Sequence, residues 1–366
     1  MSAPAPSLYS PAAKEIAASL GLKMGKANLD VFADTLLSLA KSNKDIYAVT
    51  SDSRGSGKLG PFGKELPEQI IELGIAEQNL VGVAAGLAST GKIVYAVSPA
   101  CFLTARSFEQ IKNDVCYSDN PVKLIGISAG VSYGALGTTH HSLHDLAALR
   151  AVNNIEIVVP ADNFETRQVI EFAATRPHPI YIRFGKAPMY GLESDEATKR
   201  RSDEGEEKRH EGTEAQRHEG GSDEATKRRS DGGFVLGRAR VIREGTDIAF
   251  VATGETVIHA LLAAKWLEAR GISSRVLSMH TIKPLDVEAI VRAGACRAVI
   301  TVEEHMIHGG LGEAIASTLL QAGISPKFRM VGIPDEYTVT GSQADIFRHY
   351  GISMEGLADV AMKLLG

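Results

Sequence analysis

Leu29, Phe32, Leu36 and Leu39 recur at helical spacing, which predicts an amphipathic helix ending near Asn43. Upstream of it, Ser10-Pro11 has the form of an N-cap followed by proline at the first helical position, opening a short helix to about Leu20. Beyond Asn43 the pattern changes to short, near-continuous apolar runs at Ile46–Thr50, Ile93–Val97, Val122–Ser128, Ile155–Val159 and Ile180–Phe184. Helical stretches alternate with them, around Asn79–Ala88, Arg106–Tyr117, Ser142–Val152 and Phe164–Arg176. Apolar strands separated by helices imply a parallel sheet covered on both faces, hence an α/β domain. The alternation resumes after Gly233, with strands at Arg240–Arg243, Ile248–Ala252, Ser274–Ser278, Ala298–Val302 and Phe328–Val331. Helices are predicted there at about Thr256–Arg270, Val287–Ala293, Leu311–Gln321 and Met354–Leu365. The expected architecture is two α/β domains with mostly parallel sheets.

Residues 193–231 interrupt this pattern. They contain no Val, Ile, Leu, Met, Phe, Trp or Tyr, so they have little with which to offset the entropy of ordering. S-D-E-A-T-K-R-R-S-D occurs twice, at Ser194–Asp203 and Ser222–Asp231, with R-H-E-G twice between. Neither unit has a face to bury, so the repeat reads as a duplicated insertion and not a solenoid. His210 and His218 fall inside it and read as part of a solvated charged tether, not as metal ligands. The predicted layout is an N-terminal extension (1–24), a first domain (25–192), a charged linker (193–232) and a second domain (233–366). Deleting residues 194–230 is expected to leave melting temperature and activity nearly unchanged, since halving a flexible connection alters closure entropy by only ~0.6 kcal/mol. A collapse of either would show that the segment docks.

Composition narrows the function classes. With 366 residues, 44% hydrophobic and 23% charged, the chain is globular in type. No apolar run approaches the ~18 residues of a membrane helix, and the start lacks the layout of a signal peptide. The net charge of −5, of which −4 lies in residues 193–231, argues against nucleic-acid binding. Cys101, Cys116 and Cys296 are widely separated and form no C-x-x-C, which fits reduced thiols in a cytoplasmic protein.

The strongest chemical signal is Gly74-Ile75-Ala76-Glu77-Gln78-Asn79, followed by the small and aliphatic run Leu80–Leu87. It sets a carboxylate at the mouth of a buried helix, where unpaired backbone N–H groups meet a dry interior. Read alone, Glu77 is either an acid of capping type or a functional group. Gly309-Gly310-Leu311-Gly312 lacks both the Lys-Ser/Thr of a P-loop and G-x-G-x-x-G spacing, so it reads as a tight turn feeding a helix.

The chain resembles the transketolase family. The resemblance is carried, in order, by G-I-A-E-Q-N, Gly130-Val131-Ser132, Thr139-His140, V-V-P-A-D at Val158–Asp162, I-Y-I-R at Ile180–Arg183, H-T-I-K-P-L-D at His280–Asp286 and T-V-E-E-H at Thr301–His305. It implies a thiamine-diphosphate pyrimidine-binding domain followed by the transketolase C-terminal domain. Glu77 is then the acid that bonds N1′ of the aminopyrimidine and drives cofactor activation. Phe102 and Phe108 line the pyrimidine pocket, His140 contacts substrate, and Arg183 and Ser56 reach the substrate phosphate. The G-D-G motif with which the family holds diphosphate and Mg²⁺ is absent from the sequence. The resemblance therefore implies the C-terminal subunit of a split transketolase. An N-terminal diphosphate-binding subunit would hold most of the Mg²⁺ ligands, in an α2β2 assembly acting on a small sugar.

Three positions depart from the family pattern. Leu136 stands where an aspartate contacts sugar hydroxyls, Ser128 where a histidine binds phosphate, and no arginine matches near Asn28–Leu29. They point to a non-standard anionic sugar. The beta subunit of a 2-oxo-acid dehydrogenase is an alternative, although that class has glycine where Asn79 stands. Deoxyxylulose-phosphate synthase and a non-catalytic partner that kept the fold are further alternatives.

Overall fold

The computed structural model describes residues 7–192 and 234–366; the charged linker assigned to 193–232 lies outside the described residues. The strands are β1 (Met24–Ala27), β2 (Ile46–Thr50), β3 (Ile70–Glu72), β4 (Ile93–Pro99), β5 (Lys123–Ile127), β6 (Glu156–Val158), β7 (Ile180–Arg183) and β8 (Pro188–Tyr190). After the linker come β9 (Arg240–Arg243), β10 (Ile248–Ala252), β11 (Ser274–Ser278), β12 (Thr281–Lys283), β13 (Ala298–Met306) and β14 (Lys327–Ile333).

The first sheet has seven strands in the order β12-β6-β7-β5-β4-β2-β3, and all its pairs are parallel except β12 with β6. The second has five, β14-β13-β10-β11-β9, parallel except for β9. Every residue of β5 and β10 is buried, as a strand covered by helices on both faces requires. Two mostly parallel sheets with covering helices match the expected fold class.

Several short elements were not anticipated. Among the described residues β1 pairs only with β8, antiparallel. β12 comes from the second domain yet adds an antiparallel edge to the first sheet, Thr281 opposite Val158. The helix Pro11–Ser19 is capped as expected, with Ser10 Oγ accepting from Ala13 N at 3.0 Å. Its Ala13 and Ala17 bury in one cluster with Ala260 and Ala264 of the second domain. The helix expected at Arg106–Tyr117 is three pieces: Ala100–Arg106, Phe108–Gln110 and a wider π-type turn at Ile111–Tyr117. The helix Gln343–His349, closed by a Ser342–Asp345 capping box, was also missed.

The glycine-rich turn behaves as expected. Gly310 is the N-cap of the helix Leu311–Gln321, and the buried Glu303 carboxylate accepts from Leu311 N (2.7 Å) and Gly312 N (2.9 Å). A side chain already occupies the anion position at this helix start.

Candidate active site

Glu77 opens the helix Glu77–Ser89, whose Leu80, Val81, Ala84, Ala85 and Ala88 are buried. The chain enters through Gly74, with φ at 69°, a left-handed turn that favours glycine. Ala76 sits at the N-cap and no side chain caps the helix, so Glu77 is not a capping acid. Its carboxylate is 4% exposed and takes both of its hydrogen bonds, 3.0 Å each, from Arg106 Nη1.

A line of rings leads away from this ion pair. The Arg106 guanidinium lies over the Phe102 ring, 4.2 Å from its centroid. Phe102 meets His140 edge-on at 5.4 Å, and His140 meets Tyr133 in the same way at 5.5 Å. Lys186 Nζ lies over Tyr133 at 4.7 Å. Partial burial lowers the Lys186 pKa, and the positive charge of Lys58 lowers it further. Lys58 in turn pairs with Asp30 at 3.7 Å. Beside Tyr133 lies Ser128, buried at φ 53°, whose hydroxyl faces the Tyr133 hydroxyl.

The structure thus brings Glu77, Phe102 and His140 into one line. Ser56 sits two residues from Lys58 and turns its hydroxyl onto Ser53 O at 3.1 Å. Phe108 is half-buried and packs against the core cluster containing Leu80, Val81 and Leu103. Arg183 is 3% exposed, with Nη1 on Asp145 Oδ1 (2.6 Å) and Nη2 on Glu304 O (2.7 Å). Where a substrate-facing guanidinium was expected, its donors are engaged inside the protein. The three neighbouring histidines are also separated. His141 is buried between Thr338 Oγ1 (2.7 Å) and Gly134 O (3.0 Å), and His144 precedes the helix Asp145–Arg150. Only His140 joins the ring line.

Arg106, Tyr133, Lys58 and Lys186 were missed in the sequence. Arg106 lies 29 positions from Glu77, and only folding reveals such a pairing. Lys186 follows I-Y-I-R by three positions, a spacing that offered a weak hint at most.

A planar cation stacked on Phe102 and donating N–H groups to a buried carboxylate has the shape and polarity of a bound aminopyrimidine. The residues here fit such a ring. Two α/β domains with mostly parallel sheets thus carry a buried helix-mouth glutamate paired with an arginine that lies over an aromatic ring. The transketolase pyrimidine-binding domain matches residues 25–190, and the transketolase C-terminal domain matches 237–357. The chain belongs to the transketolase family.

It is similar to an apulose-4-phosphate transketolase subunit of Phocaeicola vulgatus, 44% identical over 91% of this chain and 96% of that one. It is also similar to the 6-deoxy-6-sulfo-D-fructose transketolase subunit SqwH of Clostridium sp. strain MSTE9, 30% identical over 91% of this chain and 92% of that one. A solved structure, "Split gene transketolase, inactive beta4 tetramer", is 33% identical with a TM-score of 0.76, covering 93% of this chain and 99% of that one. Among the described residues no helix is long and apolar enough to cross a membrane.

Proposed function

We propose that the chain is the C-terminal subunit of a split transketolase that moves a two-carbon ketol unit from an anionic ketose to an aldose. The observation that carries this is the Glu77–Arg106–Phe102–His140 line, which sets a buried acid, a stacking face and an imidazole side by side. Thiamine diphosphate, when bound, supplies the carbon nucleophile that accepts the ketol unit. Glu77 would hold the aminopyrimidine by sharing a proton with N1′, in the place where the Arg106 guanidinium now takes both carboxylate oxygens. Phe102 supports that ring by stacking, with Phe108 behind it, and His140 carries a proton to or from substrate oxygens. Magnesium and the diphosphate fall to an N-terminal partner subunit in an α2β2 assembly. Relatives named as transketolase subunits favour this reading over a 2-oxo-acid dehydrogenase.

At the far end of the line, Lys186 and Lys58, with Ser56 nearby, supply the charge for the substrate's anionic group. Arg183 anchors the strand behind them. With Leu136 exposed at its turn and Ser128 offering only a hydroxyl, the site suits a non-standard sugar phosphate or a sulfonated ketose. The names of the two relatives point the same way. A charge-assisted bond is worth roughly 1.5–3 kcal/mol, so Lys186→Met is expected to lower kcat/KM for anionic donors by tenfold or more. An uncharged ketose should be little affected.

The test is a donor panel on the chain reconstituted with its diphosphate-binding partner. Preference by tenfold or more for xylulose 5-phosphate or fructose 6-phosphate would return the enzyme to the ordinary pentose-phosphate reaction.

A further inference from the structure

Residues 128–141 carry Ser128, Tyr133 and His140, and they are held from the second domain. The lobe closes on itself where Ser142 N donates to Gly130 O at 2.8 Å. Glu304, from the T-V-E-E-H stretch, reaches across so that its Oε1 accepts from Val131 N at 2.8 Å. Gln343 Nε2 donates to the same oxygen at 2.9 Å and to Glu255 Oε2 at 3.3 Å. Thr338 Oγ1 bonds His141 Nδ1 at 2.7 Å and Thr138 Oγ1 at 3.2 Å. The approach is close: a Cβ on Gly130, whose φ is 60°, would lie 2.3 Å from the Glu304 carboxyl carbon. A Cβ on Gly134 would lie 2.9 Å from Gly341 O.

Glu304 is 5% exposed, and a buried carboxylate is costly unless its oxygens are hydrogen-bonded. Here it satisfies an irregular backbone N–H that has no helix or strand to bond it. The charged and titratable groups facing it are Arg183 on β7, Asp145 on its helix, and Glu255. Glu255 also influences Tyr9. Burial raises both the Glu255 and Glu304 carboxyls, helped at Glu255 by the charge of Glu304 and at Glu304 by that of Asp145. Glu255 Oε1 has no hydrogen-bond partner. The Gln343 amide bridges the two carboxyls.

We infer that Glu304 is a positioning residue for ketol transfer: from the second domain it fixes the lobe that presents Tyr133 and His140, with Gln343 and Thr338 completing the cradle. The inference rests on the proposed transketolase function. Its test uses the reconstituted complex and two variants, Glu304→Gln and Thr338→Val. Three quantities are read: hydrogen exchange of the 130–141 amides, kcat/KM for the best ketose donor, and thiamine diphosphate affinity by titration.

In Glu304→Gln a neutral carbonyl replaces a charged acceptor, so exchange at Val131 is expected to rise about tenfold, with donor kcat/KM falling by a similar factor. Cofactor affinity should stay within about twofold, because Glu77 and Phe102 lie on other elements; one neutral bond is worth less. Thr338→Val should shift exchange and kcat/KM in the same direction by a smaller factor. Unchanged lobe exchange and kcat/KM in both variants would overturn the inference. So would an equal loss of cofactor affinity and melting temperature in Glu304→Gln, which marks a merely structural residue. If the wild-type complex turned over no ketose, the functional reading would fail, while lobe exchange would still decide whether Glu304 holds the lobe.

Discussion

Glu77→Gln in the reconstituted enzyme folds, assembles and loses about 10²–10⁴ in kcat, the usual worth of a positioned acid–base group. The amide keeps the volume of the carboxylate but cannot share a proton with N1′. The loss should therefore fall on kcat at saturating cofactor. The fold has little to lose, because the pairing with Arg106 is half in solvent: the Arg106 side chain is 47% exposed. Such a pair contributes ~1 kcal/mol or less to stability. Steady-state kinetics with a saturating ketose donor check this. Retention of more than about a third of wild-type turnover, far above that factor, would remove Glu77 from the activating role.

Asp145→Ala is expected to cost about 3–5 kcal/mol of stability, the cost of leaving a buried charge without its partner. Asp145 and Arg183 are 0% and 4% exposed at the side chain, 2.6 Å apart, and Tyr181 OH also donates to Asp145 at 2.6 Å. Burial pushes the Asp145 carboxyl pKa up, but Arg183, His305, the Tyr181 hydrogen bond and His144 together outweigh it, and the net shift is below the ordinary 3.8. A depressed carboxylate stabilises the fold above its unfolded pKa. That contribution is full at neutral pH and is lost only as pH falls below 3.8 toward the folded value. Urea unfolding at pH 7 measures the effect. A loss under about 1 kcal/mol, typical of surface pairs, would contradict it. Removing both charges in Asp145→Leu/Arg183→Met should recover part of the loss.

Long periodic elements were legible in the sequence because burial writes itself into spacing. β2, β10, β11 and the helix Leu311–Gln321 have the predicted limits. β3 and β12, of three residues each, did not stand out from their surroundings. β12 owes its place to pairing with β6 from another domain, which no local signal encodes. Of the candidate site, Glu77, Phe102 and His140 were reached through short motifs. The glutamate's context, an acid before a buried apolar helix, was visible without any relative. Arg183 was read as facing substrate, yet it ends a strand whose four residues are all buried. That pattern favours an internal partner, and Asp145 supplies it. Tyr133, Lys58, Lys186 and Arg106 come from separate loops and helices, and only the fold shows that they converge. The role of Glu304 was invisible for the same reason: its partner Val131 lies 173 positions away.

The most direct test of the central claim is two-carbon transfer measured with the purified chain, with its diphosphate-binding partner, and with the two combined, each with and without thiamine diphosphate and Mg²⁺. The account predicts that neither chain moves a ketol unit by itself, and that the mixture does so only with the cofactor present. Turnover by this chain alone, or cofactor-independent transfer by the mixture, would contradict it.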